Sequence, residues 1–151
     1  MAVNVSFDVE SFARSIRQSG CLSLRQVAQA LTRLYDDTLA PLGLRATQLG
    51  VLRVCAASGP LSAAELSREL EASQRMIRRD VKLLLTAGLI VKQRVPGRRE
   101  SLIELTPAGR QQLVAGIQRW DFAQSRLIDA LGEDRWKDLR KQLDSLTATD
   151  G

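Results

Sequence analysis

The first apolar pattern along the chain is that of a long amphipathic helix over residues 12–39. Apolar side chains recur there at three- and four-residue steps with charged residues between them. Pro41 and Gly43 interrupt the pattern. Residues before 12 have weak periodicity and are expected to form a mobile lead-in. The apolar stripe is long for a small domain and predicts an interface, and it contains Ile16, Val27, Leu31, Leu34, Tyr35 and Leu39.

Three shorter helices are predicted next, over residues 47–57, 63–70 and 74–87. Gly59 and Pro60 end the first of them. Ser62 and Glu65 stand at the spacing of a capping box, in which each side chain accepts from the other residue's backbone N–H. Ser73 is the candidate N-cap of the third helix, and Gly88 follows its end.

The spacing of apolar residues then changes from the period of a helix to that of a strand. Residues 89–95 and 101–105 are rich in Ile, Val and Leu, and Pro96-Gly97 is a turn signal between them. The two segments predict a small β-hairpin. Thr106 and Pro107 are suited to the N-cap and first position of a helix. Helical periodicity then continues to about residue 146, with a break near Gly132 and a frayed end from Thr147.

Two short helices in tandem followed by a hairpin predict a winged helix-turn-helix. The predicted fold class is therefore mainly α with a small β-hairpin wing, flanked by N- and C-terminal dimerisation helices. We predict an N-terminal dimerisation region over 1–44, a DNA-binding region over 45–110 and C-terminal dimerisation helices over 111–151, all in one integrated domain.

Charge supports a polyanionic partner, since the chain carries +5 at neutral pH with a pI near 9.9. The stretch 73–110 has nine cations against three carboxylates and so carries +6, which leaves −1 for the rest. A solvated basic face is the alternative explanation. The side chain of Gln74 can pair with the edge of adenine, and that of Arg75 can pair with the edge of guanine. Arg78 and Arg79 are expected to contact phosphates or bases. Arg98 and Arg99 at the hairpin tip suit a minor groove, although Arg99 has a solvated surface charge as its alternative.

The sequence gives little indication of metal binding, a cofactor or catalysis. The chain has two cysteines and no histidine, which argues against most zinc and iron sites, and we expect no cofactor. It lacks the sequence motifs of a catalytic site, a signal peptide or a membrane span, so we expect a cytoplasmic protein that is not an enzyme and has no membrane partner.

Several short motifs together resemble the MarR family of regulators. The resemblance implies a homodimer, a near-palindromic operator in double-stranded DNA, and release from DNA by a small ligand or an oxidant. It places Ser73, Gln74, Arg75, Arg78 and Arg79 on the recognition helix and Arg98 at the wing arginine. Gly97 departs from the family's usual Asp, and Asp80 stands where an apolar residue is usual. The motifs are Leu42-Gly-Leu44, Gly59-Pro-Leu-Ser62, Glu65-Leu66, Gly88-Leu89 and Leu105-Thr106-x-x-Gly109-Arg110.

Cys21 and Tyr35 have the spacing of a reactive cysteine and one of its tyrosine partners in the hydroperoxide-sensing branch of that family. Arg25 replaces the second tyrosine, and a half-buried packing cysteine is the alternative. Cys55 lies on an apolar face and is expected in the core.

Three functions are therefore compared. The first is a ligand-released, sequence-specific DNA-binding regulator, taken as a repressor, and the second is an oxidant sensor of the same fold that uses Cys21. The third is a winged-helix protein-interaction module without specific DNA binding.

Overall fold

The computed structural model describes residues 19–148. The expected lead-in and the first part of the predicted 12–39 helix lie outside these residues, as does the end of the chain from 149. The chain divides into two units, 1–34 and 35–151.

The described residues form six α-helices and one hairpin, which confirms the predicted fold, mainly α with a small β-hairpin wing. Helix α1 is Gly20–Leu39, a 3-10 turn follows at Ala40–Leu42, α2 is Ala46–Ser58, α3 is Ala63–Glu69 and α4 is Gln74–Thr86. The hairpin strands are β1, Ile90–Gln93, and β2, Leu102–Leu105. Helices α5, Pro107–Leu131, and α6, Glu133–Thr147, complete the described chain.

The predicted helix caps are confirmed. The Ser62 hydroxyl accepts from the Glu65 backbone N–H at 3.2 Å, and the Glu65 carboxylate accepts from the Ser62 N–H at 2.7 Å. Ser73 accepts in the same way from Met76 at 3.2 Å, and Thr106 accepts from the N–H of Gly109 at 3.0 Å. Each cap satisfies N–H groups that have no partner within the helix, which fixes where α3, α4 and α5 begin.

The hairpin is shorter than predicted and has an additional backbone partner. Strand β1 ends at Gln93 rather than near residue 95, because its register with β2 runs only from the Ile90–Leu105 pair to the Gln93–Leu102 pair. Leu61, just before α3, exchanges two backbone hydrogen bonds with Ile103 at 3.1 and 2.8 Å. This bridge, which the sequence did not predict, joins the hairpin to the start of α3.

The core lies beneath α4, between α2, α3 and the hairpin. Its fully buried side chains include Leu52, Leu66, Ile77, Leu84 and Ile103. Helix α5 approaches closely at two glycines. A methyl group at Gly109 would overlap the backbone carbonyl oxygen of Leu89, and one at Gly116 would overlap the side chain of Leu49. The resulting packing supports α4 from one side and leaves its opposite face free.

Candidate nucleic-acid interface

Helix α4 has one buried face and one exposed basic face. Ile77, Val81 and Leu84 are buried, at the three- and four-residue spacing of a single helix side. The residues predicted to contact DNA at this helix are all exposed, and they are Ser73, Gln74, Arg75, Arg78 and Arg79. The structure therefore brings these five residues to one outer surface, which we call the basic face.

Two members of the basic face also contact each other. An Nη2–H of Arg78 donates to Oε1 of Gln74 at 3.3 Å, one helical turn away. The one carboxylate in the α4 sequence, Asp80, is turned into the core and has no exposed surface. The basic face is therefore free of acidic groups from its own helix. The positive end of the helix dipole lies at Ser73, and both features favour an anionic partner.

The hairpin carries the second predicted group of cations. Arg98 and Arg99 are exposed in the loop between β1 and β2. An Nη1 of Arg98 lies 3.8 Å from Oε2 of Glu65 at the start of α3. The wing arginine is thus placed beside α3 by Glu65, a residue that the sequence identified only as part of a cap.

Hydrogen bonding keeps Glu65 available for this pairing. The backbone N–H and the side chain of Ser62 are the main causes that lower the pKa of Glu65 below its usual range. The nearby charges of Arg98 and Arg68 lower this pKa further. A carboxylate that is held in its ionised form can both cap α3 and attract the wing, so it has two roles at this corner of the molecule.

Asp80 is the unexpected residue of the site. It is fully buried, and among the described residues no donor forms a hydrogen bond with either of its carboxylate oxygens. Its nearest charged group is the Nε of the neighbouring Arg79, 3.8 Å away. Hydrophobic patterning alone would place an aspartate at the helix surface, and the signal for this position was that the family resemblance expects an apolar residue there.

The candidate redox residues have different surroundings. Cys21 is exposed, and Cys55 is buried in the core, where burial raises the pKa of its thiol to about 11. Tyr35 is buried, its ring stacks on Trp120 with 3.9 Å between centroids, and its hydroxyl donates to Oε1 of Gln124. Burial also raises the pKa of Tyr35. The burial of Cys55 is confirmed, while a sensing role for Cys21 and Tyr35 stays a prediction.

A cleft of about 390 Å³ lies between α2 and α5. Leu49, Ile117 and Trp120 supply its apolar lining, and Arg53 and Asp121 are the charged residues of the lining. A small apolar pocket with a few charged groups is typical of a site for an organic ligand. The sequence did not identify this cleft, because its two walls are separated by more than sixty residues along the chain.

The tandem helices, the bridged hairpin and the basic face together define a winged helix-turn-helix, the fold class of many DNA-binding transcription regulators. Residues 42–99 match the model of the MarR family. The winged helix of this chain is therefore similar to that of the MarR family, the family that the sequence motifs resemble. Within residues 19–148, no helix combines the length and the apolar character needed to cross a membrane.

Individual relatives agree with this assignment. The chain is 25% identical over 113 residues to YwoH, an uncharacterized HTH-type transcriptional regulator of Bacillus subtilis, across 74% of this chain and 82% of YwoH. It is 26% identical to the transcriptional regulator MosR of M. tuberculosis, with a TM-score of 0.74 over 85% of this chain and 93% of MosR.

Two further solved structures share the fold. MosR in complex with DNA has a TM-score of 0.70 and 24% identity, over 88% of this chain and 99% of that one. The transcriptional repressor CouR bound to p-coumaroyl-CoA has a TM-score of 0.79 and 21% identity, over 89% and 95% of the two chains.

Proposed function

We propose that this protein is a sequence-specific DNA-binding transcription repressor that acts as a homodimer and leaves its operator when a small molecule binds. The observation that carries the proposal is the basic face of α4. Glutamine and arginine side chains project there from a slim helix that is supported from behind by the core. An α-helix of this kind fits the major groove of B-DNA.

The chemistry of the basic face supports base recognition. Arg75 can pair bidentately with the O6 and N7 atoms of guanine, and Gln74 can pair with N6 and N7 of adenine. Arg78 and Arg79 are suited to phosphates, which position a protein without reading sequence. Arg98 and Arg99 on the wing are suited to an adjacent minor groove. The solved complex of MosR with DNA supports this use of the fold.

A dimer is supported by apolar surface on the C-terminal helices. Val114 is 59% exposed and Phe122 is 63% exposed on α5, and Leu139 on α6 is exposed as well. Burial of such side chains against a second copy is favourable by about 25 cal/mol per Å² of apolar surface. A two-fold dimer would place two recognition helices about 34 Å apart, which matches a near-palindromic operator.

Ligand release is supported by the cleft between α2 and α5. Its apolar wall suits the organic body of a ligand, and the Arg53 guanidinium in its lining suits a carboxylate or another anionic group. CouR, which has the same fold, is solved with p-coumaroyl-CoA. We therefore propose an organic anion as effector.

The DNA proposal is tested by selecting bound sequences from a random DNA pool and titrating the best one over a salt series. Arg75→Ala is expected to weaken binding about tenfold or more and to relax the preference at one base position, because it removes a base contact. Arg78→Ala is expected to weaken all sequences alike and to reduce the salt slope by about one, because it removes a phosphate contact.

Arg140→Ala on α6 is the matched control, since it removes the same charge from an exposed helix position outside the predicted DNA-binding region 45–110. It is expected to bind DNA like the wild type. If no sequence is selected even at low salt, the interaction-module alternative replaces this proposal. The same titration with an organic hydroperoxide, on wild type and Cys21→Ser, tests the redox alternative.

The dimer is tested by sedimentation equilibrium. Phe122→Asp is expected to shift the protein toward monomer, because it places a charge in the proposed apolar interface. Val95→Asp, at an exposed apolar position on the wing, is the control and is expected to stay dimeric. A wild-type protein that is monomeric at micromolar concentration would contradict the proposal.

A further inference from the structure

Asp80 has a position that packing does not explain. It lies in α4, one turn from Ile77 on one side and from Leu84 on the other, and both of these neighbours are core residues. An ionised carboxylate in such a place loses its hydration, and this loss is compensated only by hydrogen bonds or a close opposite charge. Among the described residues, neither oxygen of Asp80 has a hydrogen bond.

The opposite charge that Asp80 does have belongs to the basic face. Nε of Arg79 lies 3.8 Å from Oδ1 of Asp80, and the Arg79 side chain is 57% exposed while that of Asp80 is fully buried. The pair therefore joins the core to the outer surface of α4. A leucine at position 80 has the same branched shape, with larger methyl groups in place of the two oxygens, and would avoid the desolvation. Replacements of buried charges by well-packed apolar residues are often neutral or stabilising.

Arg79 has two surface depressions within its reach. It borders a cleft of about 410 Å³ that is also lined by Arg45 and Gln48, next to α2. It also borders a cleft of about 400 Å³ at the start of α4, lined by Ser73, Arg75 and Met76. A long arginine side chain with no anchor can adopt many rotamers, so an anchor at Nε restricts which way its Nη groups face.

We propose that Asp80 is a positioning residue for DNA recognition, whose buried carboxylate holds the Nε edge of Arg79 and leaves the Nη edge directed outward to the DNA. The proposal rests on the DNA-binding function proposed above. A guanidinium anchored by one edge keeps its other N–H donors in a fixed plane, and it loses less side-chain entropy when those donors meet a phosphate or a base. Asp80 then affects DNA binding only through the position of the Arg79 side chain.

The first test needs no DNA. The Arg79 Nε–H signal is followed by ¹⁵N NMR in the wild type, Asp80→Leu and Asp80→Asn. In the wild type the ion pair with Asp80 is expected to restrict the motion of this group in ¹⁵N relaxation, and both variants are expected to increase that motion, because the carboxylate is gone. An Arg79 signal that is the same in all three proteins would overturn the proposal.

The second test is a double-mutant cycle on the selected DNA. Asp80→Leu is expected to raise the midpoint of thermal unfolding and yet to weaken DNA binding about five- to tenfold. In an Arg79→Ala background the same substitution is expected to leave DNA binding unchanged. In an Arg78→Ala background Asp80→Leu is expected to weaken DNA binding by the same factor as in the wild type. That background is therefore the control for the coupling between positions 79 and 80.

The outcomes separate the two proposals. If the wild type selects no DNA sequence, the proposed function fails, and with it the DNA role of Asp80, whatever the NMR result. If the wild type binds and Asp80→Leu weakens binding equally with and without Arg79, then Asp80 affects only the shape of the fold and the proposal is overturned. If Asp80→Leu does not fold, Asp80→Asn gives the same decision in the same cycle.

Discussion

The winged helix and the C-terminal helix α6 differ in how far their residues are buried. Helix α2 of the winged helix has six buried residues, whereas α6 has none. The first region therefore obtains its stability from contacts within the chain. The second has an apolar side, including Leu139, that the described residues of its own chain leave at least partly exposed. The difference indicates that mutations in the two regions report on different processes, folding in one and the proposed association in the other.

The largest expected effect is at the contact between the winged helix and α5, the helix that leads into α6. Gly109→Ala puts a methyl group into the backbone carbonyl of Leu89, and neither backbone can yield easily. We expect a loss of about 3 kcal/mol in the free energy of unfolding, the upper part of the range for overpacked sites. Urea unfolding measures it, with Gly20→Ala as the control because a methyl group there meets no atom within 4 Å. Equal stabilities would show that the close approach of α5 does not support the winged helix.

A smaller effect tests the contrast between buried and exposed apolar residues, through the same substitution in α2 and in α5, the helix that precedes α6. Val51→Ala in α2 removes methyl groups from a fully buried site, and we expect a loss of about 2 kcal/mol. Val114→Ala on α5 changes a side chain that is 59% exposed, and we expect less than about 0.5 kcal/mol in dilute protein. Both are measured by urea unfolding at low protein concentration. Similar losses at the two valines would remove the contrast on which this comparison rests.

The smallest expected effect concerns pH and lies within the winged helix. Because the pKa of Glu65 is lowered in the folded protein, its contribution to stability is present above the pKa of the unfolded chain and is lost as pH falls through the folded pKa. Glu65→Gln should therefore lose less stability than wild type between about pH 5 and pH 3. Glu69→Gln, with the same charge change on the same helix, is the control. Identical acid profiles for wild type and Glu65→Gln would argue against the capping carboxylate.

Local signals in the sequence predicted most of the fold. The starts of α3, α4 and α5 were predicted from Ser62, Ser73 and Thr106, because a cap depends on residues only three positions apart. The exposure of the basic face was predicted for a similar reason, since helical spacing alone separates it from the buried side. The contacts of the basic face with DNA remain predictions.

Contacts between distant residues were not predictable from the chain alone. The bridge between Leu61 and Ile103 involves a single residue on one side, and one residue has no strand periodicity. The pairing of Arg98 with Glu65 and the stacking of Tyr35 on Trp120 depend on how separate elements pack. Asp80 was noticed only as a departure from the family pattern, and its burial became clear only with the structure.

The Leu61–Ile103 bridge also has a consequence for modularity. The segment between these two residues begins and ends within hydrogen-bonding distance, and it contains every residue that we expect to contact DNA. Its termini therefore meet at one place on the remaining scaffold, as the termini of an inserted domain do. A chimera that exchanges this segment with that of a relative, while retaining inward-facing residues such as Leu66 and Ile77, should transfer operator preference and leave the effector cleft of the recipient in place.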